Sequence, residues 1–494
     1  MVGDTAGTTA PRPVPEPDRD AMRLGRSRGA VLGRATEIVE DAWRSFDHPR
    51  DIEPVLDDQM RAVLADPLPQ SGMDAFGALD QVAALLNQSV AQARGRYLAY
   101  VGSSGLEIGA VADLLAHSYD VNLAVDAGAA SMLEAQTIGW VGQFLGFPAT
   151  AGWFTSGGTV SNLSALAAAR EHALPGSRTN GMSAARPTLY CSAEAHYSVF
   201  RAAELLGLGS DSVRQIPVDP LTRRMLAPRL RAEVEKDKAA GASPIAVVAT
   251  AGTTLTGAVD PLDQVADVCA DNGVWMHVDG AYGLPAAATS RSALFTGLAR
   301  ADSVCVDAHK WLFVPKACSA LLVRDRTPLA DTFSHDEAYM PHAGSAPNSV
   351  DMTLEYSRPL RALKLWLAFK VHGAEEFRTA LERNLDQARA CWDLARAAPD
   401  FDSLPLAPAL SIVPFRHLLP GCPDIDAHNR LLAHTMQQDG RVYLSSAVID
   451  GHDWLRPCFT NVRTRTQDVD VLMAVARELG DSICPDHGSP RVSA

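Results

Sequence analysis

One lysine stands where its amine could react with a carbonyl group. Lys310 lies in the segment DAHKW (307–311), at the end of the apolar run DSVCVDA (302–308). A lysine that is desolvated beside an aromatic side chain has a lowered pKa, and its neutral amine can form an imine. We therefore predict a nucleophilic Lys310 with a depressed pKa. The alternative is a surface lysine whose aliphatic stem packs along Trp311.

A carboxylate ends another apolar run. Asp279 lies in HVDGAY (277–282), within the predicted strand WMHVDGA (275–281). Burying a carboxylate is costly unless it meets a cation, and a protonated pyridine nitrogen would be a suitable cation. The carboxylate would in turn keep such a ring protonated and electron-withdrawing. A capping or turn aspartate explains this stretch equally well.

Two further segments could hold and cover such a ring. The segment TSGGTVSN (155–162) opens a predicted helix, and its glycines would let backbone N–H groups approach a phosphate closely. His196, in EAHYS (194–198), follows another predicted strand, and its imidazole could lie flat on the ring. Taken alone, each has an ordinary explanation, since Gly/Ser turns often precede helices and interior histidines are usually hydrogen-bonded within a core.

The three features together are more specific than any one of them. The phosphate turn, the ring carboxylate and the imine lysine occur in that order, and Asp279 and Lys310 are 31 residues apart, enough for one helix and one strand. This set indicates pyridoxal 5'-phosphate (PLP), which combines a phosphate, a pyridine ring and an aldehyde. The sequence contains no Walker A loop, H-E-x-x-H, G-x-S-x-G or G-x-G-x-x-G motif.

Alternating strands and helices would position these residues. The predicted strands are 188–193, 212–218, 245–251, 275–281, 302–308 and 318–324. Helical patterns lie between them, which indicates parallel βαβ units in an α/β fold with a mainly parallel, doubly wound sheet. Ligands of such sheets bind beyond the carboxyl ends of the strands, where the candidate residues fall.

Four regions are predicted along the chain. Residues 1–21 form a disordered leader, 22–104 a helical N-terminal segment, 105–370 a large cofactor-binding α/β domain and 371–494 a smaller α+β domain. Residues 325–360 have no clear period, and a loop of this length is usually functional or mobile.

Composition narrows the classes of partner. The net charge of −14 repels phosphate backbones and anionic lipids, so we expect neither a nucleic acid nor a membrane partner. The N-terminus lacks the pattern of a signal peptide. Eight cysteines, with no C-x-x-C pair and no cluster typical of a metal site, predict reduced thiols in a cytoplasmic protein without a metal.

The motifs TSGGT-x-SN, EAHYS, ATAGTT, HVDGAY and DAHKW closely resemble those of the group II PLP-dependent decarboxylases, a fold-type I family. The resemblance runs from about Met22 to Leu479. It implies that Lys310 is the Schiff-base lysine, that Asp279 faces the pyridine nitrogen and that His196 stacks on the ring. The other cofactor contacts that it implies are Gly157, Gly158, Thr159, Thr254, Ala281, Asp307 and His309.

The resemblance also implies an assembly and a proton donor. The family forms intertwined homodimers with active sites at the interface, so the helical N-terminal segment is expected to serve dimerisation. Tyr339 matches the family's mobile-loop tyrosine, which is thought to help protonate the substrate carbon once CO₂ has left. The catalytic residues predicted in this way are Lys310, His196, Tyr339 and Asp279.

The predicted substrate wall departs from that of the aromatic-acid members. Tyr100 is retained, but Val101 and Gly102 replace bulky residues, and Asn122 stands where those enzymes carry phenylalanine. With Ser103, these residues predict a pocket for an aliphatic, polar or unusually large L-amino acid, converted to an amine and CO₂. The alternatives are decarboxylation-coupled oxidative deamination or β-elimination from a bulky sulfur-containing amino acid, and a catalytically silent homologue.

Overall fold

The computed structural model describes residues 22–47, 55–182, 186–335 and 349–483. They belong to two compact units, one within Met1–Ser45 and Pro54–Val90 and the other within Phe46–Glu53 and Ala91–Ala494. The first unit is helical and holds most of α1 (Arg28–Asp47), together with α2 (Asp58–Leu64) and α3 (Ala75–Asn87). The side chains of Asp57 and Asp74 cap α2 and α3 by accepting backbone N–H groups of the first turn.

A seven-stranded sheet forms the centre of the second unit. Its strands are β1 (Ala151–Thr155), β2 (Pro187–Ser192), β3 (Val213–Ile216), β4 (Ser243–Thr250), β5 (Trp275–Asp279), β6 (Ser303–Val306) and β7 (Ser319–Val323). They lie in the order β1-β7-β6-β5-β4-β2-β3. Strands β2 to β6 pair in parallel, which confirms the predicted mainly parallel sheet.

Strand β7 runs the other way. It is antiparallel to both of its neighbours, β6 and β1. The chain returns from β6 to β7 through residues 307–318, which contain no α-helix, whereas a parallel return usually takes a helical crossover. The sequence predicted the strand but not its reversal, and it predicted no strand at β1.

The helices around this sheet include those predicted between the strands, together with others that the sequence did not single out. They are α4 (Glu107–Tyr119), α5 (Ala129–Leu145), α6 (Gly158–Ala173), α7 (Ser177–Asn180), α8 (Ser198–Leu205), α9 (Ala227–Ala239), α10 (Leu262–Asn272) and α11 (Thr327–Phe333). The last helix corrects the prediction that 325–360 lacks regular structure. Pro328 lies in its first turn, where a missing N–H group costs nothing.

A smaller α+β region completes the chain, as predicted. The long helix α12 (Ala362–Ala397) bends at Gly373, whose φ of 74° lies in the left-handed region that glycine adopts without strain. Strands β8 (Phe401–Ser403), β9 (Phe415–His417), β10 (Ser445–Ile449) and β11 (His452–Arg456) form an antiparallel sheet ordered β10-β11-β9-β8. Helices α13 (Ile425–Asp439) and α14 (Thr466–Ser482) accompany it.

The central strands are buried along their whole length. Every residue of β5, β6 and β7 is buried, as are the last six residues of β4. Burial on both faces explains why these strands are runs of apolar residues without alternation. Polar residues that these runs contain, such as His277 and Asp279, therefore need partners inside the protein. No helix among the described residues is long and apolar enough to cross a membrane.

Candidate active site

A cavity of about 210 Å³ lies where several strands of the large sheet end. Thr250 ends β4, Asp279 ends β5 and Asp307 follows β6, and all three side chains line this cleft. The cleft brings together all ten residues that the sequence predicted to contact the cofactor. They are Gly157, Gly158, Thr159, His196, Thr254, Asp279, Ala281, Asp307, His309 and Lys310.

The start of helix α6 forms one wall and suits an anion. Gly158 and Thr159 begin the helix, so their N–H groups have no partner within it. A Cβ atom added to Gly158 would lie 3.0 Å from Cβ of Ala281 and 3.1 Å from Oδ2 of Asp307. Only a residue without a side chain leaves this end of the helix open towards the cleft, which fits a phosphate group.

Lys310 is held by an ion pair inside the cleft. Its Nζ lies 2.8 Å from Oδ2 of Asp307, whose side chain is only 3% exposed. Burial alone would lower the pKa of Lys310, but the Asp307 carboxylate opposes it and the pKa stands above its ordinary value. The prediction of a depressed pKa is therefore wrong. Trp311, the supposed cause, stacks on Tyr282 instead.

Asp307 depends on Lys310 in the same way. Burial would raise the pKa of the Asp307 carboxyl, but the charges of Lys310 and His309 hold it below its ordinary value. Its second oxygen, Oδ1, is buried without a hydrogen-bond partner among the described residues. Asp307, His309 and Lys310 lie in the connection between β6 and β7, and two hydrogen bonds hold that connection in place. The backbone N–H of His309 donates to the Cys318 carbonyl, and the N–H of Cys318 donates to Nδ1 of His309.

Asp279 presents a buried carboxylate to the cleft. Its Oδ2 accepts a hydrogen bond of 2.9 Å from Nδ2 of Asn162, and its Oδ1 accepts one of 3.2 Å from the backbone N–H of Ala281. Within the described ranges it makes no salt bridge, although its side chain is almost fully buried. A buried carboxylate that lacks a cation and opens on a ligand cleft fits a protonated ring nitrogen.

His196 faces the same cleft in its neutral form. Nδ1 of His196 lies 2.9 Å from Oγ of Ser198 and accepts the backbone N–H of the same residue at 3.3 Å. Because Nδ1 accepts, the proton of the neutral ring is on Nε2. Burial lowers the pKa of His196, so the uncharged imidazole prevails at neutral pH.

Sequence reasoning missed several polar side chains in the cleft wall. Asn162, Ser198 and Thr250 line it, and Oγ1 of Thr250 is buried without a partner in the part of the chain that the structure describes. One signal was available, since Asn162 follows Gly158 by four residues and therefore lies on the same helix face. Ser198 and Thr250 also lie within the motifs EAHYS and ATAGTT, but the sequence assigned neither of them a role.

The predicted substrate wall does not line this cleft in the described chain. Tyr100 is 59% exposed, and the Ser103 hydroxyl donates to the Val314 carbonyl. Oδ1 of Asn122 accepts the backbone N–H groups of Ala124 and Arg358, and it is thereby engaged in holding two loops. The roles of Tyr100, Val101, Ser103 and Asn122 stay predictions, and Tyr339 lies outside the described residues.

The cleft as a whole fits PLP, and comparison with known proteins agrees. Residues 59–418 match the family model described as the pyridoxal-dependent decarboxylase conserved domain. An aromatic-L-amino-acid decarboxylase of Bacillus atrophaeus is 32% identical over 475 residues, covering 94% of this chain and 97% of that protein. An L-2,4-diaminobutyrate decarboxylase of Rhizobium meliloti (strain 1021) is 34% identical over 360 residues, covering 71% of each.

Solved structures show the same fold. The crystal structure of mouse CSAD superimposes with a TM-score of 0.86 and 25% identity, covering 92% of this chain and 99% of that one. A family match over most of the chain, a relative aligned nearly end to end and a shared fold lead to one conclusion. The chain belongs to the pyridoxal-dependent decarboxylase family and is a PLP-dependent carboxy-lyase of amino acids.

Proposed function

We propose that Lys310, Asp279 and His196 carry out the decarboxylation of an L-amino acid whose side chain is aliphatic or polar. The observation that carries this proposal is the cleft itself, where a lysine amine, a buried carboxylate without a cation and an open helix N-terminus meet. These are the three groups needed to hold an aldehyde, a pyridine nitrogen and a phosphate.

Each group has a separate task. PLP, when bound, supplies an electron sink for the bond to the departing carboxylate. Lys310 would hold the aldehyde carbon of the cofactor through its amine, which is the group that a substrate amine would replace. Asp279 keeps a proton on the ring nitrogen. The N–H groups of Gly158 and Thr159 bind the phosphate, and His196 covers the ring and orients the substrate, a large share of catalysis of this kind.

A buried arginine is suited to recognise the substrate carboxylate. Arg456, at the end of β11, is 3% exposed and has no acidic partner among the described residues. Its Nε donates to the carbonyl of Thr254, a cleft residue, at 2.7 Å, while its Nη2 is buried without a partner there. The Arg456 guanidinium thus lies directly behind a residue of the cleft wall and has no carboxylate partner among the described residues. A carboxylate ligand would stabilise it more than a neutral ligand would.

The wall of the cleft supports a substrate that is not a simple aromatic amino acid. Tyr282 is the one Phe, Tyr or Trp residue among the described residues that line it, and its hydroxyl is already bonded to Ser411. The relatives do not decide the substrate, since one is named for aromatic L-amino acids and another for L-2,4-diaminobutyrate.

An assembly with a second copy is part of the proposal. Helix α4 packs against α12, yet it exposes Val111, Leu114, Leu115 and Tyr119 at helical spacing, from 40% to 81%. An apolar stripe of this kind usually marks an interface. We take it as the face of a homodimer, in agreement with the resemblance. The part of Tyr339 in protonating the product rests on the sequence alone.

A cytoplasmic location completes the proposal. The seven cysteines of the described residues form no disulfide, and six of them are buried. Unpaired thiols are typical of proteins in a reducing compartment.

The test is a product assay over a broad panel of L-amino acids. We expect CO₂ and the corresponding amine in equal amounts from an aliphatic or polar substrate, and Lys310→Ala is expected to lose the imine absorbance and essentially all turnover. Full turnover by Lys310→Ala would contradict the role of the lysine. A clear preference for tryptophan or tyrosine would contradict the substrate class, and aldehyde with ammonia would favour oxidative deamination.

A further inference from the structure

We propose that Asn162 is a positioning residue that connects the carboxylate of Asp279 to a buried chain of hydrogen bonds and fixes the protonated nitrogen of His196. The chain runs from Trp275 through Ser303, His277 and Asn162 to Asp279. It rests on the roles proposed above for Asp279 and His196, and it adds Trp275, Ser303 and His277, which lie behind the cleft wall and do not line it.

The two ends of the chain determine the direction of every bond. Nε1 of Trp275 can only donate, and it donates to Oγ of Ser303 at 2.9 Å. The Ser303 hydroxyl lies 2.8 Å from Nδ1 of His277, and Nε2 of His277 lies 2.9 Å from Oδ1 of Asn162. At the far end, Nδ2 of Asn162 donates to the Asp279 carboxylate, which can only accept.

The carboxamide of Asn162 has a single permitted orientation. Its oxygen receives His277 and the thiol of Cys305, and its nitrogen serves Asp279 and Ser198, so all four hydrogen-bonding positions are filled. Turning the amide over would place its oxygen against a carboxylate, which repels it. The side chain is 1% exposed, so water cannot take over any of these contacts.

This orientation dictates the state of His277. An amide oxygen facing Nε2 requires a proton on Nε2, and Nδ1 must then accept the Ser303 hydroxyl proton. A doubly protonated ring would leave that hydroxyl proton without an acceptor. Burial lowers the pKa of His277 to about 4, against the opposing charge of Asp279, which agrees with a neutral ring.

A branch of the same carboxamide reaches His196. Nδ2 of Asn162 donates to Oγ of Ser198 at 2.9 Å, and Ser198 in turn occupies Nδ1 of His196. The proton of the neutral His196 ring is therefore kept on Nε2. The Asn162 side chain thus orients both Asp279, proposed to hold the ring nitrogen, and His196, proposed to cover the ring.

The consequence is electrostatic. Each link donates its hydrogen towards Asp279, and aligned bonds of this kind reinforce one another in a buried setting. They direct hydrogens at the Asp279 carboxylate, the group proposed to hold the proton on the ring nitrogen of the cofactor. Residues behind the cleft therefore control how strongly the ring withdraws electrons.

The first experiment uses the wild-type holoenzyme. Nitrogen-15 NMR of labelled histidine reports which ring nitrogen carries the proton, with His277→Gln and His196→Gln spectra assigning the signals. We expect neutral rings protonated on Nε2 for both residues. A proton on Nδ1 of either neutral ring, or a doubly protonated His277, would overturn the proposal without any variant having to fold differently.

The second experiment follows the ring nitrogen of nitrogen-15-labelled PLP bound to two variants. His277→Gln keeps an amide donor near the place of Nε2, whereas His277→Leu has none. We expect a protonated ring nitrogen in the wild type and in His277→Gln, and a shift of the signal towards the unprotonated position in His277→Leu. Equal signals in the wild type and His277→Leu would refute the chain.

The outcomes separate this proposal from the one it rests on. An unprotonated ring nitrogen in the wild type would remove the role of Asp279 and the chain with it. If His277→Leu takes up no cofactor, Ser303→Ala is measured in its place, since it deletes a single oxygen atom between Trp275 and His277. It is expected to give a smaller shift in the same direction, and an unmoved signal would overturn the proposal.

Discussion

Strand β6 has a carboxylate at each end, and the two have unequal effects. Asp302 precedes the strand, where its Oδ1 pairs with Nη2 of Arg324 at 2.7 Å in a partly exposed ion pair. Asp307 follows the strand and pairs with Lys310 in a buried setting. An exposed ion pair contributes little electrostatic energy. The buried pair is therefore the one that determines the pKa of the Lys310 amine.

Removing the buried carboxylate is expected to free the amine. In Asp307→Asn, burial acts on Lys310 without the larger of the two carboxylate charges that oppose it, so the pKa of Lys310 falls and more of the amine is neutral at pH 7. Imine formation with added PLP is then faster by about tenfold for each unit by which the pKa falls. Stopped-flow absorbance measures this rate. Asp302→Asn is the matched control and should react as the wild type does, and an unchanged rate in Asp307→Asn would contradict the argument.

At the level of residues, the sequence predicted the parts of the cleft but not their interactions. Motifs in the sequence indicated ten residues predicted to contact the cofactor, and all ten line one cleft. The bond between Asn162 and His277 joins residues 115 positions apart, and no local pattern marks such a pair. The pKa of Lys310 was mispredicted for a similar reason, because its sign depends on which neighbour the folded connection places against the amine.

Among the elements, helix α6 leaves very little room for an added side chain at its first residue. Gly158→Ala would bring a methyl group within 3.1 Å of both Ala281 and Asp307 at the proposed phosphate site. We expect the Kd for PLP to rise by at least about tenfold, a loss of about 1.4 kcal/mol. Equilibrium titration of the apoenzyme measures it.

A second helical glycine provides the control for that experiment. Gly139 in α5 has open space around its Cβ position, so Gly139→Ala should stabilise the helix by about 0.5–1 kcal/mol and leave the Kd unchanged. Equal effects of the two substitutions on PLP binding would argue against a phosphate site at α6.

Strand β9 and helix α13 bring two buried histidines together. Nδ1 of His417 lies 2.9 Å from Nε2 of His428, and Asp481 is the nearest acidic group. Burial, and then the neighbouring His417, lowers the pKa of His428 to about 4. The unfolded chain takes up a proton near pH 6.5 and the folded one does not, so stability falls as the pH drops from about 6.5 to 4.

This pair gives a pH prediction. Between pH 7 and pH 5 the free energy of unfolding should fall by about 2 kcal/mol less in His428→Gln than in the wild type. Urea unfolding at the two pH values measures the difference. Parallel losses in the two proteins would show that His428 does not titrate as its burial indicates.

The predicted elements were recovered where length and period were clear. The strands from β2 to β7 overlap the six predicted strand segments. Strand β1 was missed because five residues that include a glycine give no distinct pattern. The reversal of β7 was missed because strand direction depends on the length and conformation of the connection, which apolar periodicity does not encode.

For the molecule as a whole, the exposed stripe on α4 predicts the state of association. Leu114→Arg places a charge at its centre and should convert the proposed dimer to a monomer at micromolar concentration, as measured by light scattering. Leu205→Arg on α8 alters an even more exposed leucine elsewhere and should leave the mass unchanged. A dimer that persists in Leu114→Arg would place the interface on another surface.

Helix α6 also fixes the distance between the proposed phosphate site and the carboxylate proposed for the ring nitrogen. Its first residue, Gly158, lies at the proposed phosphate site, and Asn162, four residues later, holds the carboxylate proposed for the ring nitrogen. With about 1.5 Å of rise per residue, the two points are separated by about 6 Å along a rigid axis. A coenzyme analogue with one more methylene between its ring and its phosphate would lose the contact at Gly158 or the contact at Asp279. The distance between phosphate and ring nitrogen that the protein accepts is therefore set by about one turn of α6.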